Sequence, residues 1–428
     1  MIKILNTKVK KFDIILDNLL SKRKNKTKLN SKLVIQILND VKKNGDKAIL
    51  KYEKKFNKNK IITPQAQYIN NTIKSLDINT RKAIDLAYKR IFKFHSMQKF
   101  KNIYYVDKFK NKLEYKYIPI ESVAIYVPGS TASYPSSVLM NAIPALIAGV
   151  KRLVMISPGN KGKLNPAVLY AAKKCKIKEI YSIGGPSAIA AACYGTKKIK
   201  KVDKIVGPGN SFVATSKKEV FGDVGIEGMI AGPSEITIVC DKFSNPEWLA
   251  SDLVAQAEHD NLAQCILISK NRSILEKVSK EIDKQLKDLP RVKIAKNSLA
   301  NYGILIQTSS DQKIIEIVNK IAPEHLELNI RNYKKIVGKI KNAGSICLGK
   351  YAVMAMTDYN VGSNHILPTN SSSRYSSGIS VNEFYKRISY INLSKKGIET
   401  LGPSVITLSN YEGLSGHAKS VEKRIRRK

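Results

Sequence analysis

Tryptophan occurs once in 428 residues and cysteine five times. Cys175, Cys193, Cys240, Cys265 and Cys347 stand singly, mostly inside apolar runs, with no C-x-x-C pair. That spacing excludes zinc fingers, zinc ribbons and thioredoxin-like redox motifs, and it reads as buried thiols in a reducing compartment. No uninterrupted apolar run approaches the ~18 residues that a membrane span requires, so no membrane partner is expected. The basic N-terminal stretch is broken by Asp13 and Asp17, and no cleavage site follows. A secretory signal is therefore not expected, and a cytoplasmic location is the default. Acidic residues are scarce, 34 against 74 basic ones, which leaves a net charge of +40. Such a balance first suggests nucleic acid. The lysines, however, are spread along the whole length, and aromatic RNA-binding platforms are missing. Genuine basic clusters stand only at 22–28 and 423–428. We read the charge as a solvated basic surface, with nucleic acid not an expected partner.

With 43% hydrophobic and 25% charged residues, the chain is otherwise an ordinary globular one, long enough for two or three domains. Residues 1 to about 95 are helical in pattern, and 104–117 alternate as extended structure does. From Val123 the texture changes. Strands at 123–127, 152–157, 179–183 and 203–206 alternate with helices at 137–149, 166–175 and 187–194, and glycines mark the strand ends. This order predicts an open, largely parallel sheet, whose ligands collect at the carboxyl ends of its strands. The dinucleotide fingerprint fails here: Gly207-x-Gly209 lacks its third glycine. A second α/β run starts at Glu235, with strands expected at 236–240, 265–269, 292–295, 303–308, 327–330 and 345–348. After about residue 383 one strand, 388–393, and amphipathic helix form what reads as an arm.

The chain has five histidines. His95 stands alone in an aromatic, lysine-rich neighbourhood and reads as structural. The other four keep polar company. Gln256 and His259 share one face of a predicted helix, three residues apart, and could supply two ligands of a metal ion. Asp358 offers a hard oxygen, and one further histidine would complete a zinc shell. Glu324-His325 supplies a carboxylate and an imidazole for acid/base work near neutral pH. His365 follows Asp358 by seven residues, and His417 follows Glu412 by five.

Seven runs in order then carry a resemblance: YVPGSTASYPSSVLMNAIPALIAGV (126–150), VGPGN (206–210), AGPSE (231–235), QAEHD (256–260), APEHLEL (322–328), DYNVGSNHILPT (358–369) and YEGLSGH (411–417). The chain resembles histidinol dehydrogenase from about residue 30 to 420. The resemblance implies a zinc enzyme, one Zn2+ per subunit, that oxidises L-histidinol through L-histidinaldehyde to L-histidine and reduces two NAD. Motif by motif it implies Gln256, His259, Asp358 and His417 as zinc ligands and Glu324 and His325 as acid/base residues. The same ligands with Ser234, His325, His365 and Glu412 would meet the substrate, while Tyr126 and Asn210 would stand near NAD. It also implies a homodimer with shared active sites, the tail ligand coming from the other subunit. The expected fold class is α/β: two related Rossmann-like open sheets flanked by helices, with a small N-terminal helical segment and a C-terminal dimerisation arm. The expected division is 1–24 as the helical segment, 25–122 with 235–382 as the domain carrying most zinc and acid/base residues, 123–234 as the inserted domain on the NAD side, and 383–428 as the arm. Three departures touch the cofactor half: Ser130 where a second glycine is usual, Ser187 where glutamine is common, and an extra residue within 226–230. The competing reading is an inactive basic α/β binding protein.

Overall fold

The computed structural model describes residues 2–26, 31–129, 133–159, 163–227 and 232–425, so Ser130 and most of the 226–230 stretch lie outside the described residues. Among the described residues, no helix is long and apolar enough to cross a membrane. The fold is mixed α/β, with two parallel sheets flanked by helices and a small antiparallel sheet. Six parallel strands run in the order Lys3–Asn6, Gly303–Gln307, Gln264–Ser269, Glu235–Cys240, His325–Asn329 and Ser345–Leu348. Its central strands read EITIVC and QCILIS and are buried throughout, as strands covered by helices on both faces must be. Five parallel strands, in the order Glu179–Tyr181, Arg152–Ile156, Ser122–Tyr126, Lys204–Val206 and Gly225–Ile226, form the second sheet.

Sequence pattern and structure differ in three places. The N-terminal segment is not purely helical: Lys3–Asn6 pairs with Gly303–Gln307 at the sheet edge before the helix Phe12–Lys26 begins. Burial of Ile2 and Leu5 against that edge outweighs the helical texture of the flanking residues. The helices between residues 31 and 96 pack on the five-stranded sheet, not on the six-stranded one with which the sequence grouped them. Val34, Ile37 and Val41 join the core around Ala188–Ala192, and Ile73, Ile84 and Ile91 join that around Met140 and Ile143. Finally, the strand expected at 292–295 is the start of a helix, Val292–Tyr302. Its buried residues Ala295, Ser298, Leu299 and Tyr302 recur at helical spacing, and that longer period overrides four alternating residues.

The tail supplies strand Tyr385–Asn392, antiparallel to Lys112–Pro119, then helices Lys395–Tyr411 and Ser415–Ile425 packed on each other. Much of its apolar surface is exposed: Ile391, Leu401, Val405, Leu408 and Tyr411 all face solvent, as do Ile103, Tyr104 and Tyr105 on the outer strand of the same small sheet.

Candidate active site

A cleft of about 420 Å³ lies between the two parallel sheets. The five-stranded sheet meets it through residues just past its carboxyl ends: Pro128 after Ser122–Tyr126, and Gly209 and Asn210 after Lys204–Val206. The six-stranded sheet presents its other end. Ser234 immediately precedes strand Glu235–Cys240, and Glu324 and His325 stand at the start of His325–Asn329. Helix Pro246–Ala257 runs back along the sheet and carries Gln256 in its last turn, while His259, expected on the same helix, sits in the turn just beyond it, its N–H on the Gln256 carbonyl, and both reach the same edge. Asn245 starts that helix by accepting from the N–H groups of Glu247 and Trp248, with Pro246 at its first turn. Asp358, from the short helix Met354–Tyr359, and His365 complete this wall.

The side chains are held under low-dielectric conditions. Gln256 is buried, and both Oε1 and Nε2 lack a hydrogen-bond partner. An orphaned buried amide costs about 1–3 kcal/mol, so it marks a place made for another group. Burial pushes the Asp358 carboxyl up to about 7. His259 faces the open cleft, yet the protein crowding around it lowers its imidazole. His365 Nδ1 lies 2.7 Å from the Asp358 carbonyl oxygen. A carbonyl can only accept, so Nδ1 carries the proton and Nε2 keeps its lone pair. Amide oxygen, imidazole and carboxylate on one wall are donor types that zinc takes, although among the described residues no three His, Cys, Asp or Glu side chains come together as a complete metal shell.

Glu324 accepts the Glu235 backbone N–H at Oε2, 2.8 Å. His325 Nε2 stands 3.9 Å from both Glu324 Oε1 and Asp358 Oδ1, too far for a direct hydrogen bond but near enough for a small reacting group to lie between. Burial drives the two toward their neutral forms. It raises Glu324 well above the carboxylate range, and it lowers His325 to about 3 with help from His365 and His259. Two adjacent groups with opposed shifts are the pattern of an acid/base site.

Of the residues singled out from sequence, Asn210, Ser234, Gln256, His259, Glu324, His325, Asp358 and His365 line this one cleft. Asn210 also caps helix Ser211–Glu219 by accepting the Val213 N–H. Tyr126 does not line the cleft. It is buried, and its hydroxyl accepts the Gly185 N–H at 3.2 Å, so it acts on the Gly184-Gly185 turn from beneath. Ser187 closes the same turn, donating to the Gly184 carbonyl at 2.9 Å. Glu412 and His417 stand exposed on the C-terminal helical pair, and neither lines the cleft of this chain. His95 is buried, with Nδ1 3.0 Å from the Ile91 carbonyl, which accords with a structural residue.

Sequence reasoning missed a set of buried charges behind the site. Glu53 accepts the Gly184 N–H. Asp252 and Glu327 each keep one buried oxygen without a donor, and burial raises both, Asp252 to about 6. Lys217 is fully buried and donates to the Gly207 carbonyl at 2.5 Å and the Glu227 carbonyl at 3.3 Å. Gly207 itself sits at φ +100°, and a Cβ there would run into the Tyr126 carbonyl, so the turn admits only glycine. The available signal was a lysine ten residues past a glycine turn, too weak in a lysine-rich chain.

Lys217 yields a pH prediction. Burial lowers its amine from an ordinary 10.5 to about 7. Between those values the unfolded chain holds a proton that the folded one has lost, so stability rises with pH across 7 to 10.5 and is level below. The stability advantage of the wild type over Lys217→Met should therefore grow by up to about 1.4 kcal/mol per pH unit in that window. Urea unfolding at several pH values checks it, and a difference that is flat or falls with pH contradicts it.

Comparisons with known proteins bear on the whole chain. A family model described as histidinol dehydrogenase matches residues 20–425. The histidinol dehydrogenase of Pelagibacter ubique is 82% identical over all 428 residues, covering 100% of both chains, and that of Bacillus subtilis is 44% identical over 404, covering 94% of each. The crystal structure of histidinol dehydrogenase from Elizabethkingia anophelis superposes with a TM-score of 0.92 at 35% identity, covering 99% of this chain and 98% of that one. With a matching family model, full-length relatives and the same fold in hand, the chain belongs to the histidinol dehydrogenase family.

Proposed function

We propose that this chain oxidises L-histidinol to L-histidine through L-histidinaldehyde, reducing two NAD, in the last steps of histidine biosynthesis. The observation that carries the reading is one cleft wall on which the Glu324–His325 pair faces the orphaned Gln256 amide, His259, Asp358 and His365. Zinc would be held by Gln256, His259 and Asp358, with His417 supplied by a second copy of the chain. Bound there, it would serve as a Lewis acid that orients and polarises the amino alcohol. His325 is neutral at physiological pH, so its imidazole can accept the alcohol proton as hydride departs to the nicotinamide. Glu324, in its carboxylate form, then takes a proton from the water that adds to the aldehyde, and the resulting hydrate gives up the second hydride to form the acid. Ser234, His365 and Glu412 would hold the substrate's polar groups.

NAD is assigned to the side of residues 123–234. There the turns that follow Ser122–Tyr126 and Lys204–Val206 face the cleft, and Ser211, the first residue of helix Ser211–Glu219, lines it. Homodimerisation is supported by the exposed apolar side chains gathered on the tail, among them Ile391, Leu401, Val405, Leu408 and Tyr411, a surface of the kind that marks protein–protein contacts. Glu412 and His417 stand on that same exposed unit.

The direct test is zinc-loaded protein with histidinol and NAD. Two NADH per histidinol are expected. Absent turnover together with steeply salt-dependent nucleic-acid binding would favour the basic binding protein instead. A second test addresses the tail. His417→Ala should lose zinc, while a mixed dimer of His417→Ala and His325→Ala subunits should regain one working site, up to about a quarter to a half of wild-type activity by subunit counting. Full zinc content in His417→Ala would remove that ligand from the set.

A further inference from the structure

Helix Phe12–Lys26 packs its stripe Phe12, Leu16, Leu19 and Leu20 on the core of the six-stranded sheet. One turn further along the same face the stripe continues into a charge, Arg23, which is 2% exposed. Its Nη1 donates to Glu235 Oε1 at 2.6 Å, and the Glu235 side chain is as buried as its partner. Its Nε and Nη2 have no partner, so among the described residues Glu235 alone bonds this guanidinium.

Glu235 stands at a junction. The oxygen that receives Arg23 also accepts the Asn370 N–H at 2.6 Å, which ties down the loop that follows His365. Its own backbone N–H donates to Glu324 Oε2 at 2.8 Å. It is the first residue of strand Glu235–Cys240, next to Ser234, which faces the cleft. One guanidinium from the far end of the sequence therefore fixes three parts of the cleft wall. At Glu324 the Glu235 N–H and the Arg23 charge lower the carboxyl, while the Glu235 charge raises it. A buried ion pair is a costly way to gain stability, because a well-packed apolar pair of similar volume does as well or better.

The structure assigns Arg23 a positioning role: through Glu235 it holds the Glu324 carboxylate where the aldehyde-oxidising half of the reaction needs it. This rests on the function proposed above, in which Glu324 serves the water-addition step and His325 the first hydride transfer.

The test measures each half-reaction in single turnover on the zinc-loaded enzyme: NADH from histidinol for the first, NADH from histidinaldehyde for the second. Arg23→Met is expected to slow aldehyde oxidation by about 10- to 100-fold, the scale of a misplaced reacting group, while alcohol oxidation changes less than about threefold. The double variant Arg23→Met/Glu235→Gln leaves no charge buried alone and keeps the acceptor for the Asn370 N–H. It is expected to bring aldehyde oxidation back to within about threefold of wild type. Should Arg23→Met fail to fold, Arg23→Lys carries the test, with a loss of about 3- to 10-fold confined to the aldehyde step. Equal losses in both half-reactions, tracking a fall in Tm, would overturn the assignment, as would unchanged rates in folded Arg23→Met. A wild type silent on both substrates overturns the functional reading instead, a result distinct from either.

Discussion

Glu324→Gln should lower aldehyde oxidation by about 10²- to 10⁴-fold and leave most of the first hydride transfer intact, so that turnover stalls after one NADH. The substitution keeps the shape of the side chain and the oxygen that accepts the Glu235 N–H, 2.8 Å away. What it removes is a group able to carry a proton. Burial raises that carboxyl well above its ordinary range, so it holds a proton more readily than an exposed glutamate does. His325→Asn should behave differently, cutting the first step and with it all NADH. The two variants separate roles that a steady-state assay of overall turnover would merge. Rapid-mixing measurement of NADH from each substrate is the check, with near-wild-type Tm as the control for folding. A Glu324→Gln enzyme that delivers two NADH per histidinol at normal rate would remove Glu324 from the mechanism.

His259→Ala should release the metal and abolish activity, with affinity lowered by well over the 10- to 100-fold that loss of an outer-shell partner costs. The Gln256 amide, three residues back in the last turn of helix Pro246–Ala257, has neither of its polar atoms satisfied within the chain. A neighbour that loses its shared occupant returns to being an unpaired buried group, so the variant should also lose part of the Tm gain that zinc gives the wild type. Asp358 sharpens the same expectation. With burial pushing its carboxyl up to about 7, it needs a positive partner to stay ionised below that pH. Metal content after dialysis, measured beside His365→Asn as a variant outside the proposed ligand set, decides the matter. Retention of stoichiometric zinc by His259→Ala would exclude this wall as the metal site.

Much of this site was readable from the chain, and the reasons are physical. The glycine turns at 128–129, 184–185 and 207–210 announce strand ends because their glycines either take left-handed angles, as Gly185 and Gly207 do, or leave no room for a Cβ, as at Gly184 and Gly209. The pairs Gln256/His259 and Glu324/His325 carry their chemistry in adjacent or one-turn spacing, which survives whatever the tertiary fold does. What could not be read depends on long-range packing. Arg23 and Glu235 are 212 positions apart and look, singly, like surface charges. Strand Lys3–Asn6 has four residues, and only the exposed edge of Gly303–Gln307 makes it a strand. The helices at 31–96 have ordinary amphipathic faces, and nothing in a periodicity says which of two sheets will cover them. Which end of the six-stranded sheet faces the cleft was equally silent, since a strand reads the same from either edge.

That last feature has a consequence for motion. Glu324 and His325 open a strand held between Glu235–Cys240 on one side and Ser345–Leu348 on the other, with the Glu324 carbonyl accepting the Ser345 N–H. Amide hydrogens in such an interior strand exchange with deuterium only when the sheet itself comes apart. The loop at 363–371, which carries His365, lies outside any ladder; single hydrogen bonds, such as those from Asn364 to the Met140 carbonyl and from Asn370 to Glu235, hold it, and these can break without opening the sheet. Deuterium uptake should therefore divide the cleft into a slow floor carrying Glu324 and His325 and a faster rim carrying His365. Ligand binding should protect the rim and leave the floor unchanged.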